Sequence, residues 1–223
     1  MTSSTRLVQV RTQILKDNDV VARALRQRFQ ESGVFVVSLV SSPGSGKTML
    51  LEKTLAALGK EYKVAALVGD LATENDALRL ARSGAPVRQI TTGAVCHLEA
   101  HMVQQSLADW NVEPLDFLFL ENVGNLVCPA TYDLGEDLRL VLFSVTEGED
   151  KPLKYPTIFN TADIALLTKM DLVQAVEFDR NTALQSIQAV RPGMQTLELS
   201  AKTGDGMAAW LELLRQRRGE RSR

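Results

Sequence analysis

Cysteine and histidine are scarce in this chain, with two of each among 223 residues. Two cysteines far apart in sequence cannot make a disulfide framework, so stability has to come from a buried core. Charge of one sign is also missing: 25 basic residues meet 27 acidic ones, for a net charge of -2. That excludes a protein that coats nucleic acid, whose affinity would rest on excess Lys and Arg. No apolar run approaches the ~18 residues of a membrane span, and the opening MTSSTRLVQVRTQ lacks the apolar centre of a secretory signal. Aromatics are few, at 5%, and there is no internal repeat or low-complexity linker. These absences point to a cytoplasmic globular protein in which a Cys motif serves metal or redox chemistry rather than structure.

What is present is an alternation of strand and helix patterns. Residues 1–32 read as a lead-in plus one helix, with Val20, Val21, Ala24, Leu25 and Phe29 at helical spacing and Asp17 or Asn18 as its cap. Residues 33–218 form the main domain. Its first apolar run, VFVVSLV at 34–40, suits a strand buried on both faces. Further strands are predicted at 63–68, 87–91, 115–120, 138–145, 164–168 and 196–199. Helices are predicted at 47–58, 74–82, 98–108, 177–190 and 206–215. This pattern predicts an α/β fold: a mostly parallel sheet with helices on both faces, in three layers. Ligands in such sheets bind at the carboxyl ends of the strands, where every motif below falls. Residues 219–223 end a basic tail, RQRRGERSR, which reads as a solvated, frayed terminus.

The first motif is SSPGSGKT at 41–48. Gly46, Lys47 and Thr48 match the phosphate-loop pattern, and Ser41 stands where its first glycine is usual. Gly44 and Gly46 let backbone N–H groups, including those of Ser45 and its neighbours, curl around phosphate oxygens. Lys47 is placed to meet the β- and γ-phosphates, and the Thr48 hydroxyl to meet Mg²⁺. Asp70 and Glu121, each at a predicted strand end, are the acidic candidates for the metal or the attacking water. Either could instead be a strand-terminal surface acid. Nucleotide choice is indicated by Lys169 and Asp171 in TKMDL, because a carboxylate accepts from both N1–H and the exocyclic amine of guanine. Thr168 replaces the usual Asn of that box. Ser200, Ala201 and Lys202 follow the last strand and suit a loop backing the base. Each signal is weak alone; in order and at strand ends they favour GTP over ATP.

Three of the four Cys and His residues fall in two short segments. Cys96 and His97 lie in GAVCHLEAH, with His101 four residues past His97, and Cys128 lies in ENVGNLVCP. A helix start at Cys96–His97 would place His97 and His101 on one face, a chelating spacing. The plain alternative is a small buried thiol and a satisfied core imidazole. One chain supplies one ligand too few for a tetrahedral set, and a symmetric dimer doubles the supply. Such a set suits zinc or, in a flatter geometry, nickel. Glu121 lies seven residues before Cys128, so the 121–128 loop could couple phosphate to metal.

SSPGSGKT, GDLATENDA, TGAVCHLEA, ENVGNLVCPA, SVTEGEDKPLKYP and TKMDL resemble, in order, the hydrogenase nickel-incorporation GTPases, the HypB family. The likeness runs from about residue 15 to 215. It implies a P-loop metallochaperone GTPase that helps insert nickel into the nickel–iron hydrogenase precursor. It also implies a GTP-dependent homodimer and a small zinc-containing maturation partner. By resemblance Cys96, His97 and Cys128 are the metal ligands. Lys47, Thr48, Asp70 and Glu121 are the phosphate and Mg²⁺ residues, and Lys169 and Asp171 read the base. His101 has no assigned counterpart. No Cys-rich or His-rich stretch precedes Ser41, so nickel storage is not implied. The ENVGNL segment has no Gln to orient water, which predicts slow intrinsic hydrolysis. The urease accessory GTPases are the nearest alternative, but they carry Cys-Pro-His where this chain has Cys-His-Leu. A small-molecule P-loop kinase would lack both the guanine box and the Cys–His pair. A metal-buffering protein with a vestigial nucleotide site would not keep Lys47 and Thr48.

Overall fold

A computed structural model describes residues 3–71, 75–110 and 114–221, and the side chains from residue 12 onward. Seven parallel strands form one sheet in the order β3-β2-β4-β1-β5-β6-β7. They are β1 (Phe35–Ser41), β2 (Val64–Asp70), β3 (Val87–Thr91), β4 (Phe117–Glu121), β5 (Leu138–Ser144), β6 (Ile164–Thr168) and β7 (Gln195–Glu198). The central strands are buried along their whole length, as their unbroken Val/Leu/Phe runs require. Alternate residues feed opposite layers. Phe35, Val37 and Leu39 of β1 pack with α2 (Lys47–Leu58) and α8 (Met207–Arg221) on one face. On the other face, Val36 packs with α1 (Ser3–Glu31) and α4 (Ala100–Ser106), and Val40 with α6 (Pro156–Thr161) and α7 (Arg180–Val190). The expected three-layer α/β fold is the one observed. Among the described residues, no helix is long and apolar enough to cross a membrane.

The differences from the sequence reading have local causes. The first helix does not start at Asp17 or Asn18 but runs through them. Asn18 is used tertiarily: its amide donates to the Asp133 carbonyl at 2.8 Å and accepts from Ala100 N–H at 2.9 Å. Of the expected stripe, Leu25 and Phe29 are buried and Val21 partly so, while Val20 and Ala24 are exposed; Asn18, Ala22, Leu25 and Phe29 are the positions that share the inward face at 3.6 residues per turn. The helix expected from 177 begins at Arg180 because Glu177 holds φ 53, while Asp179 accepts from the N–H groups of Asn181 and Thr182. The helix expected over 74–82 is α3 (Asn75–Ala81), and Glu74 lies outside the described residues. Two short helices, α5 (Lys151–Lys154) and α6, were not anticipated; each carries a proline in its first turn, where the missing N–H costs nothing.

The basic tail is the largest correction. It is not frayed through its length: α8 continues to Arg221. Arg218 pairs with Asp116 and lies over the rings of Tyr62 and Phe117. Arg221 pairs with Asp137 and donates to the Val34 carbonyl, and Arg215 meets Glu61 at 2.9 Å. Arginines that looked like a solvated charge run are the helix's docking side chains.

Candidate nucleotide and metal site

β1 ends in Ser41, and the chain turns through Gly44 at φ 73 and Gly46 at φ 97 before α2 begins at Lys47. Both glycines hold the left-handed region that other residues avoid. Lys47 is buried and donates to Ser41 Oγ at 2.7 Å; Ser45 Oγ also bonds Ser41 Oγ. Serine at the position of the usual first glycine therefore anchors the loop from within. Burial pulls the Lys47 ammonium below its ordinary value, and Glu121 partly restores it.

Glu121 closes the floor of the same cavity. Thr48 Oγ1 donates to its Oε1 at 2.8 Å, while Oε2 is buried without a hydrogen-bond partner among the described residues. Burial pushes this carboxyl up to about 7, against the pull of Lys47 and Thr48. A hydroxyl and a carboxylate oxygen with no partner, beside a lysine, fit a hard divalent cation with its phosphates. The cavity measures about 570 Å³ and also takes in Asp70, Asp76, Arg79, Lys169, Asp171, Ser200, Ala201 and Lys202. Asp70 lines the mouth, its Oδ1 accepting from the Leu71 N–H at 2.7 Å.

At the other end, Ser200 Oγ donates to Asp171 Oδ1 at 2.6 Å, fixing the carboxylate. Lys169 holds φ 60 and runs close over Gly46. Thr168 donates from its hydroxyl to the Ser45 carbonyl at 2.7 Å. The loop after β6 is thus tied to the phosphate loop.

Cys96, His97 and Cys128 are brought together, their ligand atoms all within 4.8 Å of one another. Cys96 Sγ lies 2.7 Å from Cys128 Sγ and 4.0 Å from His97 Nδ1. Both cysteines are free and half-buried. The Cys128 sulfur, more than burial, raises the Cys96 thiol above its usual range. A thiol ligates as its thiolate, so a cation bound between the two sulfurs would release thiol protons. His97 is buried against the Tyr132 ring at 4.0 Å, and burial lowers its imidazole. A neutral imidazole is the form that ligates. One expectation fails: α4 begins at Ala100, so His97 lies in the preceding loop and shares no helix face with His101. His101 is half-exposed, beside Glu99.

The two ends of the site are joined by the 121–128 segment. Gly124 packs closely on Pro43: a Cβ there would lie 3.0 Å from Pro43 Cα, tight enough that the Pro43 loop would have to give by a few tenths of an ångström. Asn122 Oδ1 accepts from Leu98 N–H at 3.0 Å. Asn125 donates to the Cys96 carbonyl at 3.3 Å and accepts from the N–H groups of Val127 and Cys128 at 2.8 and 3.4 Å. The sequence reading missed Asn122, Asn125, Asp76, Arg79 and Tyr132. The asparagines of ENVGN were the one available signal, since Asn favours loops where its amide bonds backbone.

Such a fold and cavity define a P-loop nucleotide-binding and nucleotide-hydrolysing domain. Residues 35–198 match the family described as CobW/HypB/UreG, nucleotide-binding domain. The chain is 48% identical to a hydrogenase maturation factor HypB of Rhizobium leguminosarum bv. viciae, covering 99% of this chain and 75% of that one. It is 41% identical to a hydrogenase/urease maturation factor HypB of Helicobacter hepaticus, over 96% of this chain and 89% of that one. The crystal structure of HypB from Helicobacter pylori in complex with nickel superposes with a TM-score of 0.86 at 40% identity, covering 92% of this chain and 96% of that one. The chain belongs to the CobW/HypB/UreG family, in its HypB branch.

Proposed function

We propose that this chain is a GTP-hydrolysing nickel metallochaperone of the cytoplasm that assists nickel insertion during maturation of nickel–iron hydrogenase. The observation that carries the reading is the continuity of the 121–128 segment, with Glu121 on the floor of the nucleotide cavity and Cys128 in the Cys–His–Cys trio. The names of the relatives, and the nickel complex of the Helicobacter pylori protein, support the hydrogenase and the cargo. The hydrogenase/urease name of the Helicobacter hepaticus relative favours a second client, urease, as the alternative.

In this reading Asp171 selects guanine, with Ser200 orienting it and Lys169 along the base. Lys47 and the backbone of 44–48 grip the phosphates. Magnesium, when bound, would be held by Thr48 with Glu121 and Asp70 and would neutralise charge on the β- and γ-phosphates. The γ-phosphate end of the cavity meets Gly124 and Pro43, so its occupancy biases the 121–128 segment. Asn122 and Asn125 carry that bias to Cys96, His97 and Cys128, which hold the nickel cargo; zinc is the competing ion. Two protomers complete the ligand set, with nickel passing to a hydrogenase large-subunit precursor alongside a small zinc-containing maturation partner. Hydrolysis is slow in the isolated protein, because no Gln in this segment orients water. Single-turnover assays with GTP should show this, and rapid partner-free hydrolysis would contradict it.

Analytical ultracentrifugation with nickel, with and without a non-hydrolysable GTP analogue, tests the whole reading. A monomer alone and a dimer with both ligands is the expected result. A monomer under every condition overturns the shared cage.

A further inference from the structure

Glu99 stands at an unusual place for its residue type. It is the N-cap of α4, with φ −118 and ψ 154, yet its side chain caps no backbone N–H. Ser, Thr, Asp and Asn take that role far better. The carboxylate is instead divided between two imidazoles. Oε1 lies 3.3 Å from His97 Nε2, and Oε2 lies 3.2 Å from His101 Nδ1. Side-chain exposure falls along the row, from 50% at His101 through 21% at Glu99 to 10% at His97.

The two nitrogens of His97 therefore face different chemistry. Nδ1 looks to the sulfurs, 4.0 Å from Cys96 Sγ. Nε2 is buried and has no hydrogen-bond partner among the described residues, lying off-line from Glu99 though within ion-pair distance. A histidine that gives one nitrogen to a metal must carry its proton on the other. That N–H almost always donates to a carboxylate, a backbone carbonyl or water, which fixes the tautomer and the ring. Among the described residues, the Glu99 carboxylate lies 3.3 Å from Nε2 and is placed to be that acceptor. The Tyr132 ring, tilted 41° to the imidazole with centroids 4.0 Å apart, packs against it and restricts its rotation.

From this geometry we infer that Glu99 is a positioning residue for the metal trio: it holds the proton of His97 on Nε2 and so commits Nδ1 to the ion. His101 steadies the carboxylate by occupying its second oxygen. This inference rests on the reading of Cys96, His97 and Cys128 as the metal-holding residues. It adds which nitrogen ligates and what selects it.

The test compares Glu99→Gln, Glu99→Ala, His101→Ala and His97→Ala with the unaltered chain. Nickel affinity is measured by competition with a chelator, and the tautomer of His97 by long-range ¹H–¹⁵N correlation in the metal-free protein. In the unaltered chain the Nε2–H tautomer should dominate. Glu99→Ala should mix the tautomers and weaken nickel binding about 10- to 100-fold. Glu99→Gln, whose amide oxygen still accepts a hydrogen bond, should recover part of both. His101→Ala should cost only a few-fold. X-ray absorption on the nickel-loaded Glu99→Ala protein should keep the sulfur shell and lose imidazole scattering, a change that general loosening of the fold would not produce. If Glu99→Ala keeps both its affinity and its tautomer, while His97→Ala loses nickel, the inference fails and the trio stands. If His97→Ala binds nickel undiminished, the trio itself is wrong.

Discussion

The hydroxyl of Thr168 donates to the backbone carbonyl of Ser45 at 2.7 Å, inside the protein and across 123 residues of chain. This bond joins the loop after β6 to the phosphate loop. Threonine in place of the usual Asn keeps a donor at the strand end, so the departure preserves the connection. Thr168→Val keeps the shape and deletes the donor, leaving a buried carbonyl unpaired, at a cost of about 1–3 kcal/mol. The expected result is a melting temperature lower by several degrees and guanine-nucleotide affinity reduced about tenfold. Thr168→Ser should lose little of either. Calorimetric titration and thermal melts of the pair decide it; a silent Thr168→Val would mean the two loops are independently fixed.

Asp171 is held by the Ser200 hydroxyl at 2.6 Å. Its carboxylate suits the two donors of guanine, and an amide there suits a base with a carbonyl at that edge. Asp171→Asn should lose GTP by about two orders of magnitude or more and gain xanthosine triphosphate. Competition binding with both nucleotides checks the exchange. Equal loss of both would show only a damaged loop.

How much of this was legible in the sequence follows from range. The phosphate loop, 47–58 and 164–168 were readable to the residue because glycines, unbroken apolar runs and a G-K-T signature are local. The Cys–His–Cys trio was readable as a candidate because its residues are rare. The orientation of His97 was not, since where a helix begins depends on contacts such as Asn18 to the Ala100 N–H, 82 residues away. The arginines of 215–221 misled for the same reason: Asp116 and Asp137, which receive them, lie in loops that composition cannot place nearby.

Glu121 yields a prediction with a sign. Burial raises its carboxyl from an ordinary 4.5 to about 7, net of the attraction of Lys47. Folding therefore favours the protonated form. Its contribution to the nucleotide-free fold is complete below about pH 4.5 and is lost as pH rises through 7. Glu121→Gln mimics the protonated acid, so it should melt close to the unaltered chain at pH 4.5. At pH 8 it should melt higher, by an amount corresponding to about 1–3 kcal/mol. Magnesium-dependent nucleotide binding should be lost at both. Scanning calorimetry at the two pH values is the check, and a Glu121→Gln protein less stable at pH 8 would reverse the sign.

Arg221 offers a stability test outside the site. It pairs with Asp137, whose other role is to accept from the Val36 N–H at 2.8 Å at the start of β1. Burial raises the Asp137 carboxyl, and Arg221 pulls it back. Arg221→Ala should destabilise the fold by about 1–3 kcal/mol at neutral pH. The deficit should shrink as pH falls and Asp137 takes up its proton in the variant. Urea denaturation at pH 7 and pH 4.5 reads both. An unchanged midpoint at pH 7 would return the tail to a solvated extension.

Asn125 is where the coupling between the two ends can be cut without altering the nucleotide cavity or any of the three metal-ligating side chains. Its amide spans Cys96 and Cys128, donating to the carbonyl of one and accepting from the N–H of the other. It does not line the nucleotide cavity, whose wall in this segment is Glu121 to Gly124. Asn125→Ala should therefore leave GTP and GDP affinities near those of the unaltered chain. Nickel affinity should fall about 10- to 100-fold, as for loss of other residues that support metal ligands. More tellingly, the ratio of nickel affinities measured with GDP and with a non-hydrolysable GTP analogue should move toward one. The logarithm of that ratio, times RT, is the coupling free energy, and a ligand with no differential effect shifts nothing. If the ratio stays at its original value while nickel binding weakens, Asn125 shapes the cage but the nucleotide reaches it by another route. The Asn122 contact with the Leu98 N–H is then the remaining bridge.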